Sequence, residues 1–324
     1  MRRGFLLGKF MPPQAGHAFL CDFAADYCDT LTVLVCTQPG EPIDGDLRYR
    51  WMREICPKAR VCHFADTVPQ EPSEHPNFWE IWRAIVKRFH PEPIDFVFAS
   101  EAYGMRLATE VGATFVPVDI QRQAVPISAT RVRDNPYAVW DFLAPPVRAH
   151  YVKTVCLFGP ESTGKSTLAS KLAKRFHTIF APEYGRTYCD FFGTDCDVND
   201  LRHIVDGQKS LEYAARRTAN RLLILDTDRL MTAIWADMLL DHRPADLDDV
   251  SEFADLYLLA DVDVPWHDDG TRYFPHSEAR NLFFHRCKKE LEKRELPFVI
   301  LSGDWDRRYE IAVIEIEKYF QRIF

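Results

Sequence analysis

Long apolar segments and paired cysteines are both absent from this sequence of 324 residues. No stretch approaches the roughly 18 apolar residues that a membrane-spanning helix needs, so we expect no membrane span. The 9 cysteines are scattered and include no C-x-x-C pair, which favours reduced thiols in the cytoplasm over disulfides or a zinc site. Only a short apolar run follows Met1-Arg2-Arg3 before Lys9, so we expect no signal peptide.

A surplus of basic residues is also missing. The sequence has 40 Lys and Arg residues against 48 Asp and Glu residues, which gives a net charge of −8. Non-specific binding to nucleic acid needs a basic face, so we expect no nucleic-acid partner, although a local basic pocket can still hold a nucleotide. Repeats and low-complexity tracts are absent as well. The content of 47 % hydrophobic residues is ordinary for a globular protein.

In the first half, apolar runs typical of strands alternate with segments of helical spacing. Strands are predicted at 4–8, 31–35, 60–64, 95–99 and 114–118, and helices at 17–28, 46–56, 78–89, 102–111 and from 128 onward. This alternation predicts a parallel sheet with helices on both faces and ligands at the carboxyl ends of the strands. The proline-rich stretch 135–148 ends this half near Ala149.

The second half restarts the same pattern. Strands are predicted at 152–158, 178–180 with 182–186 as a strand end, 221–226, 256–261 and 298–301, and helices at 168–173, 200–220, 277–295 and 307–320. The length also fits two domains. We therefore predict an α/β protein of two doubly wound parallel-sheet domains, 1–148 and 149–324.

The second predicted domain opens with a phosphate-binding loop. Residues 159–167 (GPESTGKST) fit G-x-x-x-x-G-K-[ST], directly after an apolar strand and directly before a helix. Backbone N–H groups at such a helix start favour phosphate oxygens. Lys165 would lie against the β/γ-phosphates and Ser166 would hold Mg²⁺, so ATP or GTP is the expected ligand. The nucleotide-binding residues expected here are Gly159, Glu161, Ser162, Thr163, Gly164, Ser166 and Thr167.

Two acidic motifs follow the loop. Asp226 ends an apolar strand, where phosphate-loop proteins place a second acid linked to magnesium. Asp228 lies two residues on, and in an extended strand end both carboxylates point to the same side. The alternative for Asp226 is a helix N-cap. Glu183, in the sequence E-Y-G-R at a predicted strand end, can accept a proton from a substrate hydroxyl, or else form a surface ion pair with Arg186.

The polar stretch 266–272 (WHDDGTR) is flanked by prolines and carries one aromatic residue. As a lid, it would offer Trp266 for stacking and Arg272 for phosphate charge. The alternative is an ordinary exposed loop.

The first half has its own candidate site after the first strand. Residues 8–17 (GKFMPPQAGH) resemble the G-[KR]-F-x-P-x-H-x-G-H signature of the HxGH nucleotidylyltransferase superfamily, and 127–133 (ISATRVR) resemble its I-S-x-T-x-x-R signature. Such enzymes need donors around the α-phosphate of ATP while pyrophosphate leaves, and they rely on positioning and charge stabilisation. The residues that these signatures place at the site are Gly8, Lys9, Phe10, Gln14, Gly16, His17, Ser128, Thr130 and Arg133.

Gln14 departs from the signature, which has a histidine at this position. An amide can donate a hydrogen bond but carries no positive charge. Charge-assisted hydrogen bonds contribute ~1.5–3 kcal/mol against ~0.5–1.5 kcal/mol for neutral ones. The expected loss is on the order of 1 kcal/mol, or several-fold to tenfold in rate, which weakens the site without abolishing it.

An HxGH-type domain followed by a phosphate-loop domain resembles the bacterial bifunctional NMN adenylyltransferase/ribosylnicotinamide kinase family of the NadR type. The resemblance covers nearly the whole chain. Beyond the two nucleotide motifs, it is carried by Arg48-Tyr49-Arg50-Trp51, Glu183-Tyr184-Gly185-Arg186, Asp226-Thr227-Asp228 and Trp266 with Asp268-Asp269-Gly270.

The resemblance implies two steps of NAD salvage, with ATP and Mg²⁺ as cofactors. The second half would phosphorylate the 5′-hydroxyl of ribosylnicotinamide to give NMN, and the first half would join NMN to the AMP of a second ATP to give NAD⁺ and pyrophosphate. Glu183 or Asp226 would activate the hydroxyl. The implied substrate-binding residues are Tyr184, Arg186, Asp228 and Trp266, with the indole of Trp266 stacked on the cationic nicotinamide.

Some members of this family carry an N-terminal helix-turn-helix and repress transcription. This sequence starts at its first catalytic strand, so we expect no such module and no DNA binding. The oligomeric state stays open, and a homo-oligomer is compatible with the sequence.

Two other functions fit parts of the sequence. A phosphopantetheine adenylyltransferase joined to a dephospho-CoA kinase would use the same two nucleotide motifs in the same order, but it leaves E-Y-G-R and W-x-D-D-G unexplained. A regulator that senses nucleotides without turnover is favoured by Gln14 alone.

Overall fold

Two α/β units make up the protein in a computed structural model that describes residues 1–240, 242–267, 270 and 272–324. Unit 1 is Met1–Val147 and unit 2 is Arg148–Phe324, so the division lies one residue before the boundary placed from the sequence. Each unit holds a sheet of five parallel strands. The predicted fold class is confirmed. No helix in the described part of the chain is long and apolar enough to cross a bilayer.

Unit 1 alternates strands and helices almost as predicted. Its elements are β1 (Arg3–Gly8), α1 (Ala15–Tyr27), β2 (Thr30–Cys36), α2 (Gly45–Ile55), β3 (Arg60–Phe64), α3 (Phe78–Phe89), β4 (Phe96–Ala99), α4 (Tyr103–Val111), β5 (Thr114–Pro117) and α5 (Ala129–Asp134), followed by a 3₁₀ turn (Trp140–Phe142) and α6 (Pro145–Tyr151), which runs on into unit 2. The strand order is β3-β2-β1-β4-β5.

Both faces of this sheet are covered because successive strand residues point to opposite sides. Leu6 of β1 packs in a cluster with Leu20 of α1 and Met52 of α2. Its neighbour Phe5 packs in a second cluster with Val86 of α3 and Leu107 of α4. The first signature of unit 1, residues 8–17, begins at the end of β1, the central strand.

Unit 2 continues the pattern around β6. Its elements are β6 (Lys153–Phe158), α7 (Lys165–Arg175), β7 (Phe180–Ala181), α8 (Tyr184–Phe192), α9 (Val198–Arg216), β8 (Leu222–Leu225), α10 (Arg229–Leu239), α11 (Ala245–Asp248), β9 (Leu256–Ala260), α12 (Ser277–Lys293), β10 (Phe298–Leu301) and α13 (Trp305–Tyr319). The strand order is β10-β9-β6-β8-β7. Strand β6 lies in the middle and is fully buried from Val155 to Phe158.

Two local predictions for unit 2 are wrong. Residues 182–186 do not end a strand, because β7 stops at Ala181 and α8 begins at Tyr184. Pro182 has no N–H to extend the ladder. In addition, the sequence after the strand is predicted first as a metal or substrate site and only as an alternative as a helix start, whereas in the structure the helix α10 starts at Arg229. Most of this helix is buried, including Leu230, Met231, Ala233 and Ile234.

Candidate active sites

In unit 2, the phosphate loop joins the end of β6 to the start of α7. Gly159 and Gly164 have φ values of 122° and 78°, which other residues rarely adopt. A Cβ atom on Gly159 would lie 2.8 Å from the carbonyl oxygen of Ala260, and one on Gly164 would lie 2.3 Å from the ring of Trp305. Both positions therefore require glycine. The free N–H groups at the start of α7 suit a phosphate.

Lys165, the first residue of α7, turns back over this loop. Its Nζ atom donates a hydrogen bond of 2.7 Å to the carbonyl oxygen of Pro160. The hydroxyl of Thr163 donates to the same oxygen at 2.8 Å. Both bonds hold the loop in a shape that keeps the ammonium group at its edge.

The far side of the loop is held by a buried arginine from α13. Arg308 is 2 % exposed and donates to the carbonyl oxygens of Thr163 at 3.3 Å, Gly303 at 2.8 Å and Asp261 at 3.1 Å. Its guanidinium also lies 5.6 Å from the centre of the Trp305 ring, which is half exposed. Trp305 and Arg308 line a cavity of about 560 Å³ that adjoins the phosphate loop.

A second cavity beside the loop, of about 530 Å³, collects most of the residues predicted for this half. A small-molecule site typically measures roughly 300–1,000 Å³. The predicted residues that line the cavity are Gly159, Glu161, Ser162, Thr163, Gly164, Lys165, Ser166, Thr167, Glu183, Arg186, Asp226 and Arg272. The structure thus brings the loop, the first acidic motif and the end of β8 around one space.

Asp226 faces this cavity from the end of β8. The side chain is 2 % exposed, and its Oδ1 atom has no hydrogen-bond partner among the residues that the structure describes. Burial and the nearby Glu183 raise the pKa of Asp226 to about 6, although a hydrogen bond from Ser166 and the charge of Lys165 act in the opposite direction. An unpartnered carboxylate oxygen beside the hydroxyl of Ser166 is the kind of oxygen pair that Mg²⁺ prefers.

Asp228 corrects the prediction that both carboxylates point to the same side. It caps α10 by accepting a hydrogen bond of 3.3 Å from the backbone N–H of Met231. Its other oxygen accepts a bond of 2.5 Å from the hydroxyl of Tyr257. Asp228 is 5 % exposed and is not among the residues that line the cavity. The helix cap considered for Asp226 therefore belongs to Asp228, because the chain turns into α10 instead of continuing as a strand.

Glu183 lies at the N-cap position of α8 and lines the cavity. The turn around it is held by Gln208 of α9, which is 1 % exposed. Gln208 accepts a hydrogen bond of 2.8 Å from the backbone N–H of Tyr184 and donates to the carbonyl oxygen of Thr227 at 3.4 Å. Gln208 thus links the two acidic motifs, a role that no sequence signal predicts.

The side chain of Tyr184 does not line the cavity, contrary to the prediction. Its ring packs on α9 so closely that a Cβ atom on Gly207 would lie 2.1 Å from it. The start of α8 turns the ring away, and the cavity wall is formed by Gly185 and Arg186 instead.

The described residues of the stretch 266–274, which we call the cover segment, are bonded to the phosphate loop at both ends of the stretch. Asp268, Asp269 and Thr271 of this segment lie outside the described residues. Glu161, 8 % exposed, accepts hydrogen bonds from the backbone N–H groups of Tyr273 at 3.0 Å and Phe274 at 2.7 Å. Ser162 accepts a bond of 2.6 Å from the N–H of His267. Two loop residues thus hold the cover segment against the nucleotide motif.

Trp266 is placed differently from the prediction. Its Nε1 atom lies 3.4 Å from Glu161 Oε1, and the residue is not among those that line the cavity. The aromatic residues that line the cavity are instead Phe180, Trp235 and Tyr273. Trp235 of α10 stacks on Phe274 with ring centres 5.8 Å apart and an angle of 17°. Trp235 lies in α10, for which the sequence patterns give no range.

In unit 1, Gln14 and His17 open α1 together. The backbone N–H of Gly16 donates to the side-chain oxygen of Gln14, and the backbone N–H of Gln14 donates to Nδ1 of His17 at 3.2 Å. Gln14 is 5 % exposed. The amide at this position therefore caps the helix, which adds a structural role to the one that the signature implies.

His17 is held as a neutral donor. Burial and the nearby Arg122 lower its pKa to about 4. Because Nδ1 accepts a hydrogen bond, the proton of the neutral ring lies on Nε2. The ring of Phe10, which packs under Gly8, meets the imidazole edge-on with centres 5.1 Å apart.

The two signatures of unit 1 meet through Arg133. Its guanidinium donates to the carbonyl oxygen of Met11 at 2.6 Å and to the hydroxyl of Thr130 at 3.1 Å. Ser128 caps the short helix α5 that carries Thr130 and Arg133. Residues more than a hundred positions apart in the sequence are thus adjacent in the fold.

Lys9 projects from the loop after β1 and is 47 % exposed, with its Nζ atom 3.5 Å from Glu41. Arg48, the first residue of the R-Y-R-W motif, is fully buried, donates to the carbonyl oxygen of Lys9 at 2.8 Å and pairs with Glu41. Arg48 therefore fixes the loop backbone from below while the Lys9 side chain stays accessible.

Comparison with known proteins agrees with these motifs. A family model described as an AAA domain matches residues 154–308. The chain is 29 % identical to the trifunctional NAD biosynthesis/regulator protein NadR of Escherichia coli K12, over 94 % of this chain and 80 % of that protein. It is 28 % identical to the protein of the same name from Salmonella typhimurium, over 97 % and 82 %.

Solved structures show the same fold. A crystal structure of NadR in complex with NR has a TM-score of 0.78 at 22 % identity and covers 99 % of this chain and 96 % of that one. A structure of NadR with NAD and AMP-PNP has a TM-score of 0.76 at 22 % identity, with coverage of 98 % and 96 %. The resemblance indicated by the motifs is therefore confirmed: along nearly its whole length, this chain is similar in sequence and in fold to the NadR proteins.

Proposed function

We propose that the chain carries out two consecutive steps of NAD salvage. Unit 2 phosphorylates the 5′-hydroxyl of ribosylnicotinamide with ATP to give NMN, and unit 1 joins NMN to the AMP of a second ATP to give NAD⁺ and pyrophosphate. The similarity to NadR proteins solved with NR and with NAD and AMP-PNP supports these substrates. The observation that carries the proposal is the single cavity that joins the phosphate loop to Glu183, Arg186 and Asp226.

In the kinase unit, ATP lies with its phosphates on the loop and its base on Trp305. Lys165 supplies positive charge to the β/γ-phosphates, and the N–H groups at the start of α7 bind their oxygens. Trp305 is half exposed and lines the neighbouring cavity, and an adenine ring can stack on its face.

Ser166 and Asp226 would hold Mg²⁺ together with phosphate oxygens. In the part of the chain that the structure describes, no group of three or more His, Cys, Asp or Glu side chains is arranged to hold a metal alone. A site completed by the nucleotide fits this arrangement, because Mg²⁺ is usually bound by one or two carboxylates plus substrate phosphates. When bound, the ion would neutralise charge on the transferring phosphoryl group.

Glu183 is the better candidate for the base. Asp226 is bonded to Ser166 at the phosphate loop, so its carboxylate belongs to the metal side of the cavity. Glu183 enters from α8, beside Arg186, and can accept the proton of the attacking hydroxyl. Trp235 takes the stacking role that the sequence suggested for Trp266, because its indole lines the cavity and Trp266 does not.

In the adenylyltransferase unit, donors act on the triphosphate of the second ATP. His17 donates through Nε2–H, Lys9 and Arg133 supply positive charge, and Thr130 and Ser128 lie on the helix that carries Arg133. The lowered pKa of His17 keeps it neutral at pH 7, so it acts as a hydrogen-bond donor without charge. No covalent nucleophile is required for this transfer.

We propose that the chain is a cytoplasmic enzyme that acts on small molecules and has no nucleic-acid partner. A homo-oligomer is compatible with this function. The net charge of −8 supports the absence of a DNA-binding face. A gel-shift with the promoter of the chain's own operon at physiological salt tests this part, and a specific shift would contradict it.

A product assay tests the proposed reactions. The protein is incubated with ATP, Mg²⁺ and ribosylnicotinamide, and NMN and NAD⁺ are quantified separately. We expect NMN to form first and NAD⁺ to follow with pyrophosphate. Phosphorylation or adenylylation of phosphopantetheine instead would identify the coenzyme A enzymes, and the absence of any product would favour a nucleotide sensor. Accumulation of NMN without NAD⁺ would mean that only unit 2 is active.

A further inference from the structure

Two cysteines that the proposed reactions do not use lie side by side in the wall of the kinase cavity. The Sγ atoms of Cys189 and Cys196 are 3.8 Å apart, and both residues line the cavity. Neither residue is fully buried. A disulfide requires an S–S distance of about 2.05 Å, so the sulfurs need to approach each other by about 1.8 Å.

The chain between the two cysteines can absorb such a movement. Cys189 belongs to α8, which ends at Phe192, whereas Cys196 lies in the non-helical stretch before α9. Gly193 separates them with a φ of 90°, and a Cβ atom placed there would lie more than 4 Å from every described neighbour. Asp197 is held as the N-cap of α9, whereas the stretch 193–196 can shift towards α8.

The thiol pair is linked to the phosphate loop through one residue of the cover segment. The hydroxyl of Tyr273 donates to the carbonyl oxygen of Thr194, which lies between the cysteines, at 2.5 Å. The backbone N–H of Tyr273 is bonded to Glu161 of the phosphate loop. A movement of the stretch 193–196 is thereby passed to the cover segment and to the loop.

We propose that Cys189 and Cys196 form a reversible disulfide by exchange with a small disulfide of the glutathione type, and that this disulfide shuts down the kinase cavity. The second part of the inference rests on the proposed kinase function, whereas the first does not. The NAD-producing activity of the chain would then depend on the thiol–disulfide state of its surroundings.

The exchange takes two steps. The thiolate of Cys189 attacks oxidised glutathione, so that a mixed disulfide forms and one glutathione leaves as a thiol. The sulfur of Cys196 then releases its proton to solvent and attacks the Cys189 sulfur, which expels the second glutathione. Two protein thiols are oxidised and one glutathione disulfide is reduced to two thiols. Burial and the neighbouring Cys189 raise the pKa of Cys196 to about 12, which favours Cys189 as the first attacking group.

The experiment treats the full chain with mixtures of reduced and oxidised glutathione, blocks the remaining thiols with an alkylating reagent and maps the linked peptides by mass spectrometry. Kinase turnover and ATP binding are measured on the same samples. We expect a peptide that links Cys189 to Cys196, a parallel loss of both turnover and ATP affinity, and recovery of both with dithiothreitol. The double variant Cys189→Ser/Cys196→Ser should show the same turnover with and without oxidant, whatever its own rate.

Cys62→Ser, which removes a partly exposed thiol in unit 1, provides the matched control and should keep the oxidant sensitivity of the wild type. A wild-type chain that stops at mixed disulfides with glutathione, or in which oxidation spreads evenly over all cysteines, would overturn the inference. So would a linked peptide without loss of ATP affinity. If the reduced protein makes no NMN, the kinase proposal fails. Peptide mapping then still tests whether the disulfide forms, and ATP binding tests whether it affects the cavity.

Discussion

Asn substitutions at Asp226 and Asp228 distinguish the roles of two acids that are only two residues apart. Asp228 caps α10 and accepts from Tyr257, and asparagine is about as good an N-cap as aspartate, so Asp228→Asn keeps the turn. Asp226→Asn removes the carboxylate that faces Ser166. We expect Asp228→Asn to retain ribosylnicotinamide phosphorylation and Asp226→Asn to lose it.

The free energy of unfolding gives this prediction a magnitude. Burial raises the pKa of Asp228 to about 6 from an ordinary value of 3.8. Between these pH values, the folded protein holds a proton on Asp228 that the unfolded chain has released. The group therefore stabilises the fold increasingly as the pH falls from 7 to 5, and this stabilisation is lost as the pH rises through 6. With these two pKa values, the gain between pH 7 and pH 5 is about 1.3 kcal/mol.

Denaturant unfolding of wild type and Asp228→Asn at pH 5, 6 and 7 measures this gain. The variant cannot take up the proton, whereas Asp226 and the other titrating groups are common to both proteins and cancel. We expect the wild type to gain about 1.3 kcal/mol over the variant between pH 7 and pH 5. If the difference in unfolding free energy between wild type and variant does not change with pH, the raised pKa of the buried Asp228 carboxyl is refuted. Loss of turnover in Asp228→Asn at unchanged stability would refute its structural role and restore a substrate contact.

Three further predictions concern the nucleotide sites. Lys165→Ala should abolish NMN formation and leave adenylyl transfer intact, and His17→Ala should do the reverse, in separate product assays that start from ribosylnicotinamide and from NMN; loss of both activities in either variant would contradict separate sites. Trp305→Ala should raise the KM for ATP in the kinase step by about tenfold, because stacking of a base on an aromatic ring contributes roughly 1–3 kcal/mol, whereas Trp305→Phe should change it little. An unchanged KM in the alanine variant would mean that the base binds elsewhere. Because the pKa of Asp226 is raised to about 6 and Mg²⁺ needs the carboxylate, the Mg²⁺ concentration for half-maximal kinase rate should rise by about fivefold from pH 6 to pH 5. A Mg²⁺ requirement that is flat across this range would exclude Asp226 as a ligand.

The parts of unit 2 that the sequence predicts are those encoded locally. The strand, loop and helix around Gly159 and Lys165 are predicted from the spacing of the two glycines and from the apolar run before them. The range of helix α10 is not predicted, because Asp226-Thr227-Asp228 is interpreted first as a metal or substrate site and only second as a helix cap, and Trp235 is missed with the helix. The roles of Gln208 and Arg308 are not predicted either, because a buried polar side chain in a helix is recognised only by its hydrogen-bond partners, which are distant in sequence.

More of the site in unit 1 than of the site in unit 2 is predicted from the sequence, but for a different reason. Residues 8–17 and 127–133 resemble two signatures of one superfamily, which implies that they meet although no local pattern demands it. The bond from Arg133 to Met11 is the contact that joins them. What the signatures do not reveal is that Gln14 caps α1 and that Arg48 supports the Lys9 backbone, because both roles depend on the three-dimensional path of the loop.

The guanidinium of Arg308 has a consequence for how the kinase site comes into being during synthesis. The phosphate loop leaves the ribosome early in unit 2, yet its Thr163 carbonyl is held by a side chain that is 145 residues further along. A nascent or shortened chain that ends before α13 therefore carries the complete nucleotide motif without the arginine that fixes its shape. Fragments chosen for expression by the limits of the motif would contain the signature of the site and lack the site itself.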